Sequence, residues 1–386
     1  GISLLGDLAN STHRKDFLAS AEWMFGLARA DGIMPDFCRP AGTCAYGQRC
    51  NYTKGADGWR ECQVLDSAGF SVKLAYHIWS HQSVDAQHIF YLRWAHALEL
   101  SMNATASDPD GSGLLWSNTS RPMVGYGFQD AEWKSGDVLY ESVLHWNASL
   151  LLKDMALAEN DSQLAERMEA LAAKIKKSAD ERLWDDKMGV FRASTMLEHD
   201  RVDLWGNAMA GAIGFASTHQ AQAIYKYFVQ HQADIFWEGQ VRQIPYPQQW
   251  KAVNWIGDKT YFPFESPMSE AAASVPFYQN GCYWATPLHH VLPFLAKYNR
   301  EMACRLLNQT IASFRTHGIW EYVCPVYPGS TTGNAGYVAS AAATYFASKQ
   351  LRCWVEDESE KEIIDSRFEG LLHALRLERY IEPLVR

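Results

Sequence analysis

The run LYESVLHWNASLLLKDMALAENDSQLAERMEALAAKI, from Leu139 to Ile175, decides the fold. Its first half places Leu139, Val143, Trp146 and Leu150 at steps of 4, 3 and 4, and its second half repeats those steps at Leu164, Met168, Leu171 and Ile175. Each set lines one side of a helix. Only Glu159-Asn160-Asp161 separates the two sets, a spacing that suits an antiparallel helix hairpin. The same steps recur at Phe17, Ala21, Met24 and Ala28, and again at Ala303, Leu307, Thr310 and Phe314. Further helices are predicted near 66–80, 85–102, 204–216, 219–232, 285–298, 335–350 and 360–375. Strand signals are few and short, mainly around 239–250 and towards the C-terminal end.

Connections between the helices alternate in character. Some are brief, such as Tyr298-Asn299-Arg300, while 31–65, 106–136, 233–284 and 317–336 are long and rich in aromatic, Gly and Pro residues. Long loops of that kind in a compact domain usually carry function. About ten or eleven helices come close to the complement of a barrel of paired helices. The pattern therefore predicts an all-α fold, an (α/α)6 barrel of helical hairpins with its long loops on one face. No linker, low-complexity run or charge block divides the chain, so 1–386 reads as a single domain.

Bulk composition narrows the function classes. Hydrophobic residues make up 47% and charged residues 20%, as in an ordinary globular core. The net charge of −9 comes without a basic run, which argues against nucleic acid and against anionic membranes as partners. No apolar run reaches the roughly 20 residues of a bilayer span. Gly1-Ile2-Ser3-Leu4-Leu5 has neither an initiator Met nor a signal-peptide pattern and reads as a processed or trimmed end.

Eight cysteines and seven N-x-S/T sequons point to the secretory lumen or the outside of the cell. Cys38, Cys44, Cys50 and Cys62 fall in one Gly-rich loop without the tight paired spacing of a zinc site, so disulfides are expected there. Cys282, Cys304, Cys324 and Cys353 are dispersed and could also pair. Among the sequons, Asn10, Asn51, Asn103, Asn118 and Asn308 are the candidate glycosylation sites. Asn147 looks packed within a helix.

The long loops concentrate aromatic residues next to polar ones. Sugar rings stack their C–H faces on aromatic planes, while their hydroxyls need carboxylate and carboxamide partners. In Val124 to Asp137, the acids Asp130 and Glu132 lie among Tyr126, Phe128 and Trp133, a setting able to desolvate a carboxyl group and raise its pKa. Asp137 reads as the N-cap of the following helix. In Gly318 to Pro325, Glu321 is a lone acid between Trp320 and Tyr322, leading into a Gly-rich stretch that ends at Tyr337. Phe277 to Pro287, with Tyr278, Gln279, Asn280 and Trp284, reads as a binding element, and Phe236 to Arg242 sets Glu238 beside Trp237.

These stretches resemble the six-hairpin glycosidase superfamily, whose clans include trehalases and the glucosidases that trim N-glycans. Leu65-Asp66-Ser67-Ala68-Gly69-Phe70 resembles its acidic turn before an inner helix. Tyr126 to Gly136 resembles the segment carrying the general acid, and Tyr278 to Trp284 a YQNG-type barrel element. Arg182 to Asp185, Gly189 to Phe191 and Asp203 to Asn207 resemble packing segments, and Trp320-Glu321-Tyr322 the position of the second carboxylate. The resemblance implies an inverting glycoside hydrolase needing no cofactor or metal, with a carbohydrate substrate. Asp130 would be its general acid and Glu321 its base, about 6.5–9.5 Å apart. Glu132 competes with Asp130 for the acid role. Asp66, Tyr126, Glu132, Trp133, Trp237, Glu238, Tyr278, Gln279, Asn280, Trp284, Trp320 and Tyr337 would bind substrate.

Two other functions use the same barrel. A sugar epimerase would place His289, His290 or His317 in the cleft as acid and base, and a non-catalytic carbohydrate-binding protein would lack a working carboxylate pair. His77 and His81 have metal-binding spacing on a helix but no evident third ligand, and a packed or solvated helix face is the plainer explanation. Asp108 to Gly113 lacks the spaced ligands of a calcium loop and reads as a polar turn.

Overall fold

The computed structural model describes residues 13–35, 37–38, 44–45, 49–50, 60–61, 64–105, 110–117, 136–195, 202–245, 281–324, 331–332 and 335–353. Eleven helices lie among them: α1 (His13–Gly26), α2 (Ser67–Ser80), α3 (Val84–Ala104), α4 (Leu139–Ala158), α5 (Ser162–Arg182), α6 (Leu204–Ile213), α7 (Thr218–Gln230), the single turn α8 (Gln232–Ile235), α9 (Leu288–Ala296), α10 (Arg300–His317) and α11 (Val338–Leu351). The helix expected at 360–375 falls outside the described residues. No described helix is long and apolar enough to cross a membrane.

Two kinds of helix alternate. In α4, α6 and α11 burial runs round most of the circumference; eight of the ten residues of α6 are buried, from Leu204 to Gly211. Helices α5, α7 and α10 instead bury one stripe, as Leu164, Ala165, Met168, Ala172, Ile175 and Ala179 do in α5. The contacts follow that division. Helices α2, α4, α6, α9 and α11 pack side by side in that order, while α3 covers α2 and α4, α5 covers α4, α7 covers α6, and α10 covers α9 and α11. This is the inner and outer layering of an (α/α)6 barrel.

The turns after the inner helices are tight, and local chemistry explains them. Between α4 and α5, Asn160 takes the left-handed backbone (φ 62°) and Asp161 caps α5 by accepting from the Leu164 amide at 3.0 Å. Ser217 and Gln220 form a capping box on α7, and Asn299 accepts from the Met302 amide at 2.9 Å to start α10. Because each short turn reverses the chain, the inner helices all begin at the same end of the molecule. The long connections all lead into inner helices there. A fifth of these, 183–203, was not among the four read from sequence; it carries the short strand pair Trp184–Asp185 and Val190–Phe191.

Asp137 departs from its expected role. Helix α4 starts at Leu139 with Val138 as N-cap and no side-chain cap. Backbone groups of neighbouring loops supply the missing partners, the Leu139 amide donating to the Ala193 carbonyl at 3.0 Å. Asp137 is 3% exposed and accepts from Arg182 Nη1 at 2.8 Å, joining the start of α4 to the end of α5. A long-range cation won over the local cap because the acid is buried, where an unpaired charge is costly.

Strand content exceeds the sequence expectation in number but not in length. Five strands of two or three residues form one antiparallel sheet, in the spatial order Thr331–Thr332, Val323–Cys324, Tyr283–Trp284, Gln240–Arg242, Phe236–Trp237. Val241 stands opposite Trp284, and Tyr283 opposite Val323. The sheet ties the loop before α9 to the loop before α11, and the Cys282–Cys324 disulfide (Cα–Cα 4.8 Å) locks that junction. A second disulfide, Cys304–Cys353, holds α10 to the end of α11 (Cα–Cα 5.5 Å). In the first loop Cys38 faces Cys44 across a two-residue strand pair, while Cys62 lies outside the described residues.

Two outcomes follow from this packing. Glu238 and Gly239 turn the 236–242 hairpin with positive φ at both positions (45° and 79°), and a Cβ on Gly239 would overlap the Leu306 carbonyl and the Thr310 hydroxyl. Gly239→Ala should destabilise the protein by about 2–3 kcal/mol, measured by urea denaturation. His145, buried in α4, is held neutral by burial, its pKa lowered to about 4. The unfolded imidazole binds its proton at higher pH, so this stabilisation is complete above pH ~6.5 and is lost as pH falls towards 4. His145→Leu should therefore remove on the order of 2–3 kcal/mol of acid sensitivity across that window, read from unfolding curves at pH 7 and pH 4.

Candidate active site

The loop end of the barrel gathers acids at the helix starts. Asp66, 8% exposed, is the residue before α2, and its carbonyl accepts from the Phe70 amide at 3.0 Å. Glu141 is fully buried in the first turn of α4. Asp203 caps α6, accepting from the Gly206 amide at 3.0 Å. All three stand at helix N-termini, the ends that favour negative charge.

The five-stranded sheet carries the aromatic candidates. Trp237 lies 6.1 Å from Tyr283 and 6.4 Å from His317, ring to ring. His317 Nε2 stands 3.6 Å from Glu238 Oε2, so the hairpin and the end of α10 meet there. Arg242, buried at 5% exposure, places its guanidinium 4.4 Å from the centre of the Tyr283 ring. Burial pushes the Tyr283 phenol up, with Arg242 pulling the other way.

Glu321 sits two residues before the Val323–Cys324 strand and is 9% exposed. Its neighbour Tyr322 packs against Trp284 at 5.4 Å, and the Tyr322 phenol is raised by burial and by the Glu321 charge. Trp320 is partly buried and bridges to Ala335, its indole N–H donating to the His317 carbonyl at 2.7 Å. The Ile319 carbonyl accepts from the amides of Gly336 and Tyr337, bringing Tyr337 alongside at the head of α11. Trp237, Glu238, Trp320, Glu321 and Tyr337 are thus drawn to the sheet and its flanks. Trp284 belongs to the core instead: it is 4% exposed and packs on Trp205 at 5.7 Å, leaving no open face for a sugar.

Several expected site residues fall outside the described residues: Asp130, Glu132, Tyr126, Trp133, Tyr278, Gln279 and Asn280, with the sequons at Asn10, Asn51 and Asn118. Asn103 and Asn308 are exposed on α3 and α10. Asn147 is partly buried on α4, as its helical setting suggested.

The sequence reading named His289 and His290 only for an epimerase cleft and passed over the rest of the ring interior. A cavity of about 570 Å³ lies between α2, α4, α6, α9 and α11. Lys73 and His77 of α2 line it, with His289 and His290 of α9. His289 donates its Nδ1 proton to the Thr286 carbonyl at 2.8 Å, and burial brings its pKa down to about 3. His290 lies well below the usual histidine range for the same reason. Lys73 lies outside the buried stripe Ala68, Val72, Ala75 and Trp79 of α2, so the apolar periodicity gave no signal for it.

No protein-family model and no curated protein sequence matches the chain. Solved structures do. An uncharacterized conserved protein from Thermus thermophilus superposes with a TM-score of 0.57 at 13% identity, over 85% of this chain and 86% of that one. The GH63 mannosylglycerate hydrolase of the same organism, in complex with glucose, gives 0.54 at 13% identity, over 84% of this chain and 86% of its own. Neutral trehalase Nth1 from Saccharomyces cerevisiae gives 0.50 at 13% identity, over 74% and 62%. At that identity the likeness is one of architecture: this chain has the (α/α)6-barrel fold that these structures share.

Proposed function

We propose that the chain is a secreted glycoside hydrolase acting as a single catalytic domain, in which Asp130 is the general acid and Glu321 the general base of an inverting reaction. The place of Glu321 carries the reading: a buried carboxylate at the end where the described inner helices begin, flanked in sequence by Trp320 and Tyr322. The fold supports it, since two of the solved neighbours are a hydrolase of mannosylglycerate and a trehalase. Asp130 would protonate the leaving oxygen while Glu321 takes a proton from water on the opposite face of the sugar. Such a pair works with its carboxyl groups about 6.5–9.5 Å apart. Trp237, Trp320 and Tyr337 would stack on or border the sugar, with Asp66 and Glu238 accepting from its hydroxyls.

An epimerase reading has one observation in its favour, His289 and His290 inside the ring. Proton-transfer groups work best with a pKa near the operating pH, and burial takes both imidazoles far below it. Hydrolysis is the better account. Secretion is supported by the two disulfides, which persist in oxidising compartments.

A panel of aryl glycosides and disaccharides, read by NMR of the first-formed anomer, should give hydrolysis with inversion; retention would sink the base-catalysed water. Glu321→Gln and Asp130→Asn should each lower kcat by about 10²–10⁴-fold with circular dichroism unchanged. A larger loss in Glu132→Gln than in Asp130→Asn would move the acid role to Glu132. Protein from a eukaryotic secretory host should run faster on a gel after endoglycosidase treatment, and by a smaller step in Asn103→Gln and Asn308→Gln. An unchanged mobility would remove glycosylation from the reading.

A further inference from the structure

Inside the ring, Lys73 has no counter-charge among the described residues. It lies on α2 one turn beyond Phe70, with its Nζ 6.0 Å from the centre of the Phe70 ring. Lys73 forms no hydrogen bond or ion pair among the described residues. The ionisable groups it acts on across the cavity are imidazoles: Lys73 disfavours the protonated forms of both His289 and His290. His77 follows one turn later on the same helix, and its imidazole also lines the cavity. Among the described lining residues there is no Asp or Glu. The remaining wall is largely aromatic and aliphatic, with Phe70, Tyr76, Tyr140 and Phe346 its rings and Asn147 and Gln350 its neutral polar groups.

An ammonium group withdrawn from water costs free energy until an anion meets it or it loses its proton. Burial draws Lys73 down to about 8, which leaves it charged at neutral pH. Proteins normally answer such a group with a carboxylate from a facing helix, as Asp137 answers Arg182 here at 2.8 Å. The four facing helices offer Lys73 hydroxyls, imidazoles, the neutral carboxamides of Asn147 and Gln350, and apolar side chains instead. A cavity of about 570 Å³ has room for a small organic molecule beside the charge.

We propose that the barrel interior is a binding site for a small oxyanion, whose carboxylate or phosphate group pairs with Lys73 while the aromatic wall packs its remaining atoms. His289 keeps its Nδ1 proton on the Thr286 carbonyl, so its Nε2 is the ring atom left to accept from a ligand hydroxyl or to take up a proton beside the anion. The proposal does not depend on the hydrolase assignment. An oxyanion can arrive as a free acid or as the acidic group of a saccharide, and binding measurements separate the two.

Isothermal titration of the full chain, in chloride buffer at fixed ionic strength, would use inorganic phosphate, acetate, glucuronate and glucose. One-site saturation by phosphate or acetate at least as tight as by glucuronate identifies a free acid. Saturation by glucuronate with weaker phosphate and acetate, and with glucose silent, identifies an acidic saccharide. Lys73→Met should weaken the binding ligand about tenfold or more. Ala343→Leu, which fills the cavity and keeps the charge, should weaken it likewise and serves if Lys73→Met does not fold. No saturation by any of the three anions, glucose binding equal to glucuronate, or unchanged affinity in the folded variants would overturn the proposal.

Discussion

Helices α4, α6 and α11 have too little polar surface to stand at a boundary with water, and the architecture follows from that constraint. A helix buried at twelve of twenty positions, as α4 is, needs neighbours on several sides. Outer helices such as α5, buried at seven of twenty-one, can satisfy only one of those sides. The remainder must come from other inner helices, so the inner helices pack on one another in sequence. Trp205, Phe191, Phe215 and Phe294 fill the junctions between α4, α6, α7 and α9, and close packing of such large rings leaves few alternative arrangements.

The same constraint builds the candidate site. With each hairpin closed by a short turn at one end, every long loop is delivered to the other. There the loops must satisfy their own backbone groups, and short strands do so. The Trp205 indole donates to the Arg242 carbonyl at 3.1 Å and the Leu204 amide to the Gln243 carbonyl at 2.8 Å, which anchors the 240–242 strand to the head of α6. Asn207 holds the 183–203 loop by pairing with both backbone groups of Phe191. Loops held this way keep Trp237, Glu238 and Glu321 on a base anchored to the helices.

Much of the fold was legible because helices announce themselves locally. Leu139 to Ile175 shows two apolar stripes and a three-residue break, and the structure has α4, α5 and the Asn160–Asp161 turn there. Acidic residues before inner helices were legible at Asp66. Other features were hidden for physical reasons. Strands of two or three residues are too short to display alternation, so of the sheet that carries Trp237 only the strand signal around 239–250 was legible, where the structure has Gln240–Arg242. Asp137 has the spacing of a cap but pairs with Arg182, forty-five residues away, and local pattern carries no information about such a partner. Trp284 looked like a stacking residue, and its burial against Trp205 depends on how α6 and the sheet meet.

The amino-acid sequence alone determined the helices, their hairpin turns, the division into plain and decorated ends, and the residue types available for carbohydrate chemistry. Each of those depends on interactions within a few residues, or on composition. Tertiary structure alone decided the pairing of Cys282 with Cys324 and of Cys304 with Cys353, the gathering of Trp237, Glu238 and Glu321 at one sheet, and the meeting of Lys73 with His289 and His290 on one cavity. These depend on which inner helices face one another. That is set by how the buried stripes of distant segments pack, a property no single segment contains.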